Sequence, residues 1–155
     1  MPDIVSPEVR KRMMSNIRGK NTKPELILRK GLHKLGFRFR LHKRDLPGKP
    51  DIALPRYRAV IFVHGCFWHG HDCHLFKWPS TREQFWFEKI NRNREMDRIN
   101  FSLLRESGWR IGIVWECALK GKYRIPQEEV MMKCAQWLKS DMPLFEIKGS
   151  SSIHQ

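Results

Sequence analysis

Ten consecutive residues, His64-Gly65-Cys66-Phe67-Trp68-His69-Gly70-His71-Asp72-Cys73, constrain this chain more than any other stretch. They follow directly on the apolar run Ala59-Val60-Ile61-Phe62-Val63, which has the length and composition of a buried strand. A strand that ends in imidazoles, thiols and two adjacent aromatic rings does not run on into ordinary core. The apolar run belongs at the centre of a sheet. The loop after it needs a staple other than hydrophobic contact, and its residue types are those that bind metal.

Size and charge set the frame. A chain of 155 residues suits one domain around one core. Thirty Lys and Arg stand against sixteen Asp and Glu, a net charge of +14, and the pI is near 10.1. With six Trp and nine Phe alongside, that surplus points to a polyanionic partner, and nucleic acid fits best. No segment approaches the ~20 apolar residues that span a bilayer, so no membrane is expected. Met1-Pro2-Asp3-Ile4-Val5 lacks the basic and apolar regions of a secretory signal. Four cysteines beside histidines then read as metal-binding in a reducing cytoplasm, not as two disulfides.

Along the chain, Ser6 to Arg18 reads as a short basic helix, within a basic N-terminal segment of residues 1–20. Thr22-Lys23-Pro24-Glu25 has capping-box spacing and opens a second helix that ends at Gly36, with Leu28, Leu32 and Leu35 on one face. Phe37 to Leu41 alternates as a strand, Asp51 to Leu54 starts another, and Arg58 to Val63 is the central one. A long helix is expected from Thr81 to Ser107 with Gly108 as its stop, then a strand over 109–115 and a helix over 126–138. Residues 148–155 are Ser-rich and read as a flexible tail. The order defines a single α/β domain, residues 1–155, with a mixed sheet flanked by helices.

Three chemistries emerge from the residues. Cys66, His71, Cys73 and Cys117 supply four soft ligands of the kind tetrahedral zinc takes, with no open position, hence a structural Zn²⁺; His74 is the alternative to His71. Cys134, inside the last helix, reads as a buried small hydrophobe. Asp51, after Pro50, can meet the end of the neighbouring strand at one sheet edge, where a hard carboxylate and the Val63 carbonyl would hold Mg²⁺. His64 and His69 are left for proton transfer or phosphate contact. Glu25 caps its own helix and has an oxygen to spare for an imidazole. Phe67, Trp68 and Trp86 lie beside basic residues and suit stacking on, or wedging between, bases. Phe62, Phe101, Trp109 and Trp137 read as core.

Met13-Met14-Ser15-Asn16-Ile17-Arg18-Gly19-Lys20-Asn21-Thr22-Lys23-Pro24-Glu25, Leu46-Pro47-Gly48-Lys49-Pro50-Asp51, Phe62 to His69 and Trp115-Glu116-Cys117-Ala118-Leu119 together resemble the very short patch repair endonucleases. The likeness runs from about Ser6 to Leu138. It implies a restriction-endonuclease-like fold and Mg²⁺-dependent nicking of duplex DNA 5′ to the thymine of T·G mismatches left by 5-methylcytosine deamination. It further implies that Asp51 holds magnesium, that His69 is the general base oriented by Glu25, and that His64 acts at the phosphate. Phe67, Trp68 and Trp86 would form the wedge, Met14 would approach from the N-terminal helix, and Lys89 and Asn93 would face the mismatched pair. A monomer working at the nucleoid follows, linked functionally to a cytosine-5 methyltransferase and downstream repair proteins.

Two features depart from that pattern. The central strand ends Phe62-Val63-His64 where the wider nuclease superfamily places a second acid and a lysine. Val63 stands where the resemblance leads one to expect threonine. A restriction-type nuclease of related fold, and a zinc-stabilised DNA-binding module without chemistry, are the alternatives.

Overall fold

The computed structural model describes residues 22–150. The expected helix over 6–18, and Met14 on it, lie outside the described residues. Helix α1 (Lys23–Lys34) starts as its capping residues dictate. Thr22 is extended, and its hydroxyl accepts the Glu25 N–H at 3.4 Å, with Pro24 in the first turn. Leu28 and Leu32 are fully buried, whereas Leu35, expected on the same face, is 52% exposed. It falls one residue past the last helical turn, where the chain turns into Gly36 at φ +91°.

The five strands β1 (Arg40–Leu41), β2 (Ile52–Leu54), β3 (Ala59–His64), β4 (Arg110–Trp115) and β5 (Leu144–Ile147) form one sheet in that spatial order. β1, β2 and β3 pair antiparallel, and β3, β4 and β5 pair parallel, so the sheet is mixed as expected. The alternation over 37–41 overstated β1, since only Arg40 and Leu41 pair and both are exposed. Phe37 instead turns inward, edge-on to Tyr57 at 5.5 Å.

Helices cover both faces. Helix α2 (Glu83–Glu106) crosses between β3 and β4. The four-residue α3 (Glu116–Leu119) and the longer α4 (Gln127–Leu138) follow β4. Strand periodicity divides the core in two. Ile52, Leu54 and Ile61 pack with Leu28, Leu32, Val130 and Trp137 from α1 and α4. Ala53, Val60 and Phe62 face Leu104 of α2, with Trp109 and Ile111. Cys134 is fully buried in the first layer, as expected, and burial pushes its thiol up to about 12. The C-terminal stretch is held farther than its composition suggests. Gly149 N–H donates to Cys117 Sγ at 3.3 Å and Ser150 N–H to the Tyr123 carbonyl at 2.8 Å. No helix among the described residues is long and apolar enough to cross a membrane.

Candidate active site

Parallel register builds the first part of the site. His64, the last residue of β3, pairs with Trp115, the last residue of β4. Two residues beyond each lie Cys66 and Cys117, so adjacent strand ends deliver two buried thiols to one place. The loop then folds back. Gly70 adopts φ +59° so close to Arg94 and Ile90 that no side chain fits there. His71 Nδ1 comes within 3.5 Å of Cys66 Sγ and 3.6 Å of Cys117 Sγ, its ring stacked on Trp115 at 3.9 Å. With Cys73, the four ligand atoms lie within 4.8 Å of one another, and this cluster could hold a metal ion. Cys117 is pushed down to about 4, first by the hydrogen bond from the Cys66 thiol and further by His71 and the Gly149 amide, while Cys66 is pushed up. One thiolate forms easily there, and further ones require a cation beside them. His74 lies outside the cluster, edge-on to Tyr123 at 4.8 Å.

On the α1 side of β3, Asp51 Oδ2 accepts the Val63 N–H at 2.7 Å. Burial, with Glu25 nearby and against the Val63 hydrogen bond, pushes the Asp51 carboxyl up to about 7. Glu25 is 1% exposed and accepts from Arg29 Nη1 at 3.0 Å, with His42 Nε2 at 2.7 Å. The ligand atoms of Glu25, His42 and Asp51 also lie within 4.8 Å of one another. Val63 supplies its main chain to Asp51, and its side chain packs against the core.

On the α2 side, His64 is buried and stacked face to face on His69 at 3.7 Å and 4°. Burial first, then the neighbouring His69 and His71, hold His64 well below the usual imidazole range, and its Nδ1 has no hydrogen-bond partner. The carboxylate at His69 Nδ1 is Asp97, at 2.5 Å, not the expected Glu25. The reason is placement. Glu25 projects from α1 toward His42 and Asp51, whereas His69 lies on the loop pinned to α2, where Arg94 donates to the His69 and Gly70 carbonyls. Asn93 donates to the Trp68 carbonyl at 2.8 Å, so its amide holds the Phe67–Trp68 loop from behind. Lys89, one turn earlier on α2, is half-buried.

Phe67, Trp68 and Trp86 form a mutual cluster, with centroids 5.3, 5.2 and 5.8 Å apart. Further rings, which no motif in the sequence singles out, lie beside it: Phe76, Trp78 and Phe87, the last two 5.7 Å apart and about half exposed. A cleft of about 290 Å³ joins these parts, lined among others by Glu25, Asp51, His64, His69, Phe67 and Trp68. Buried carboxylates thus face a stacked imidazole pair across a cavity rimmed by aromatic rings. That arrangement suits metal-assisted hydrolysis of a substrate with flat groups next to the reacting one.

The chain belongs to the Vsr family of DNA mismatch endonucleases. The family model for DNA mismatch endonuclease Vsr matches residues 2–75. DNA mismatch endonuclease Vsr of Escherichia coli is 44% identical over 138 residues, 89% of this chain and 88% of that protein. The type II nicking enzyme V.XorIIP of Xanthomonas oryzae pv. oryzae is 50% identical over 119 residues, 77% of this chain and 88% of that protein. The type II nicking enzyme V.NmeAIP of Neisseria meningitidis is 44% identical over 122 residues, 79% of this chain and 87% of that protein.

Proposed function

We propose that this protein is a Mg²⁺-dependent endonuclease of restriction-endonuclease-like fold. It nicks one strand of duplex DNA 5′ to the thymine of T·G mismatches that arise from 5-methylcytosine deamination. The observation that carries the reading is the single cleft in which Asp51 and Glu25 face the His64–His69 stack beside the Phe67–Trp68–Trp86 cluster. The enzyme would act as a monomer on cytoplasmic, nucleoid DNA, upstream of repair synthesis and in functional partnership with a cytosine-5 methyltransferase.

The residues fit both metals. Zn–S and Zn–N bonds of about 2.3 and 2.05 Å at a tetrahedral angle put sulfur and nitrogen about 3.6 Å apart. The Cys66–His71 and Cys117–His71 separations of 3.5 and 3.6 Å match that spacing. Zinc there would be structural, fixing the loop that carries Phe67, Trp68 and His69. Asp51, the Val63 carbonyl and the buried Glu25 nearby would offer oxygen atoms to a hard cation, and burial first, then the Glu25 charge, raises the Asp51 carboxyl. Bound magnesium would polarise the scissile phosphate and stabilise the leaving oxygen.

The chain's own groups supply the rest. The Asp97 carboxylate keeps the proton on His69 Nδ1, so Nε2 is the lone-pair nitrogen that takes a proton from the attacking water. His64, neutral and stacked beneath, holds the His69 plane and meets the phosphate as an uncharged ring. The wedge opens the stack at the T·G step, where unstacking costs less than at a matched pair. Val63 needs no hydroxyl for this arrangement, because its amide fixes Asp51. In Asp51→Ala, mismatch binding should persist and nicking should vanish. Retained Mg²⁺-dependent nicking would refute the assignment.

A further inference from the structure

A groove of about 1010 Å³ opens beside the cleft and shares Thr22, Pro24, Glu116 and Lys120 with it. Lys23, Lys120, Lys122 and Arg124 line it, all exposed. Lys120 pairs with Glu116 at 3.4 Å. Among the described residues no carboxylate pairs with Lys23, Lys122 or Arg124. Glu116, the acid in the groove wall, is further engaged by the Cys66 N–H at 3.1 Å. Two twelve-residue helices, α1 and α4, begin in this groove, adding the partial positive charge of their first turns. Glu25 offsets that charge on α1, and Glu128 and Glu129 offset it on α4, so the loop cations dominate.

The loop is anchored. Gly121 sits at φ +92°, where an added Cβ would meet His74 Nε2 at 2.7 Å. Tyr123 packs edge-on against His74, and Ile125 N–H donates to the Ala118 carbonyl at 2.8 Å. The same loop that carries the thiol–imidazole cluster therefore sets the position of Lys122 and Arg124.

We propose that this groove is a phosphate track holding the backbone of the DNA strand as it leaves the cleft, with Lys122 and Arg124 as its contacts; the proposal rests on the mismatch-endonuclease reading. Continuity with the cleft argues for the substrate. Backbone contacts of this kind set affinity and register without reading sequence.

The test is the salt dependence of duplex binding, followed by fluorescence anisotropy without magnesium. Wild type is compared with Lys122→Gln/Arg124→Gln on T·G and matched duplexes. The slope of log affinity against log salt should become shallower by about two, equally for both duplexes. Lys23→Gln, at the start of α1, should lower it by about one, and Lys30→Gln, exposed farther along α1, should leave it unchanged. Trimming one duplex arm should cost the wild type affinity and the double variant much less. An unchanged slope in both groove variants, or weakening confined to mismatched DNA, overturns the proposal. If the slope falls as expected but wild type nicks no T·G duplex, the track stands and the mismatch reading fails. If T·G is nicked selectively and the slope is unmoved, the track alone fails.

Discussion

Removing the Asp97 carboxylate should slow nicking without weakening DNA binding. The His69–Asp97 contact is 2.5 Å, with side chains 21% and 25% exposed. A charge-assisted hydrogen bond contributes about 1.5–3 kcal/mol, and partial exposure to water screens it toward the lower half of that range. Taking about 2 kcal/mol as the stabilisation lost when His69 becomes protonated, the rate should fall about 30-fold. Asp97→Ala should show that loss. Asp97→Asn should be at least as slow, because its amide can donate to Nδ1 and leave the proton on Nε2, a change of tautomer that costs up to ~10⁴ in the serine-protease triad. The assay is single-turnover nicking of a T·G duplex with enzyme in excess, beside anisotropy binding of the same duplex. An Asp97→Ala rate equal to wild type, or a rate loss matched by equal losses of affinity and melting temperature, would refute a role in orienting the base.

Two further outcomes follow from buried groups. Burial pushes the Asp51 carboxyl up to about 7, against 3.8 for an ordinary aspartate. The stability tied to that proton is present below about pH 4 and lost as pH rises through 7. In magnesium-free buffer, Asp51→Asn should therefore melt higher than wild type at pH 8, by up to about 4 kcal/mol of stability, with the gap shrinking toward pH 5. Added Mg²⁺ should raise the wild-type melting temperature and not that of the variant; equal pH profiles would contradict the buried-acid account. Elemental analysis should find one zinc per chain. Cys66→Ser should lose the metal and melt far lower, whereas Cys134→Ser should keep it. A folded, active, zinc-free Cys66→Ser protein would remove the structural role.

Much of this was readable wherever local chemistry speaks. Thr22, Gly36 and Gly108 punctuate α1 and α2, and the apolar runs Ala59 to Val63 and Ile111 to Trp115 mark β3 and β4. Strand β5 gives no signal in the sequence, because Leu144 to Ile147 is a four-residue edge strand that leaves Leu144 60% exposed, too short to display alternation. Helix α3, also four residues, has no period to detect. Within the site, the Cys and His residues announced themselves by type. Asp97 did not. It is one acid among Glu83, Glu88, Glu95 and Glu106 on a charged helix, and only the fold of the loop onto α2 singles it out. His42 stayed hidden for the same reason, since the Glu25 side chain reaches it across 17 residues of sequence. The spacing from Thr22 makes Glu25 the N3 residue of its helix, but its partner depends on which side of the sheet α1 covers.

The most direct test of the central claim is incubation of the purified protein and Mg²⁺ with end-labelled duplexes carrying T·G in several flanking contexts, beside matched T·A and C·G controls. A single nick 5′ to the thymine, confined to the mismatched duplexes, is the result the account predicts. Binding without cleavage, or cutting of matched DNA on both strands, would contradict it.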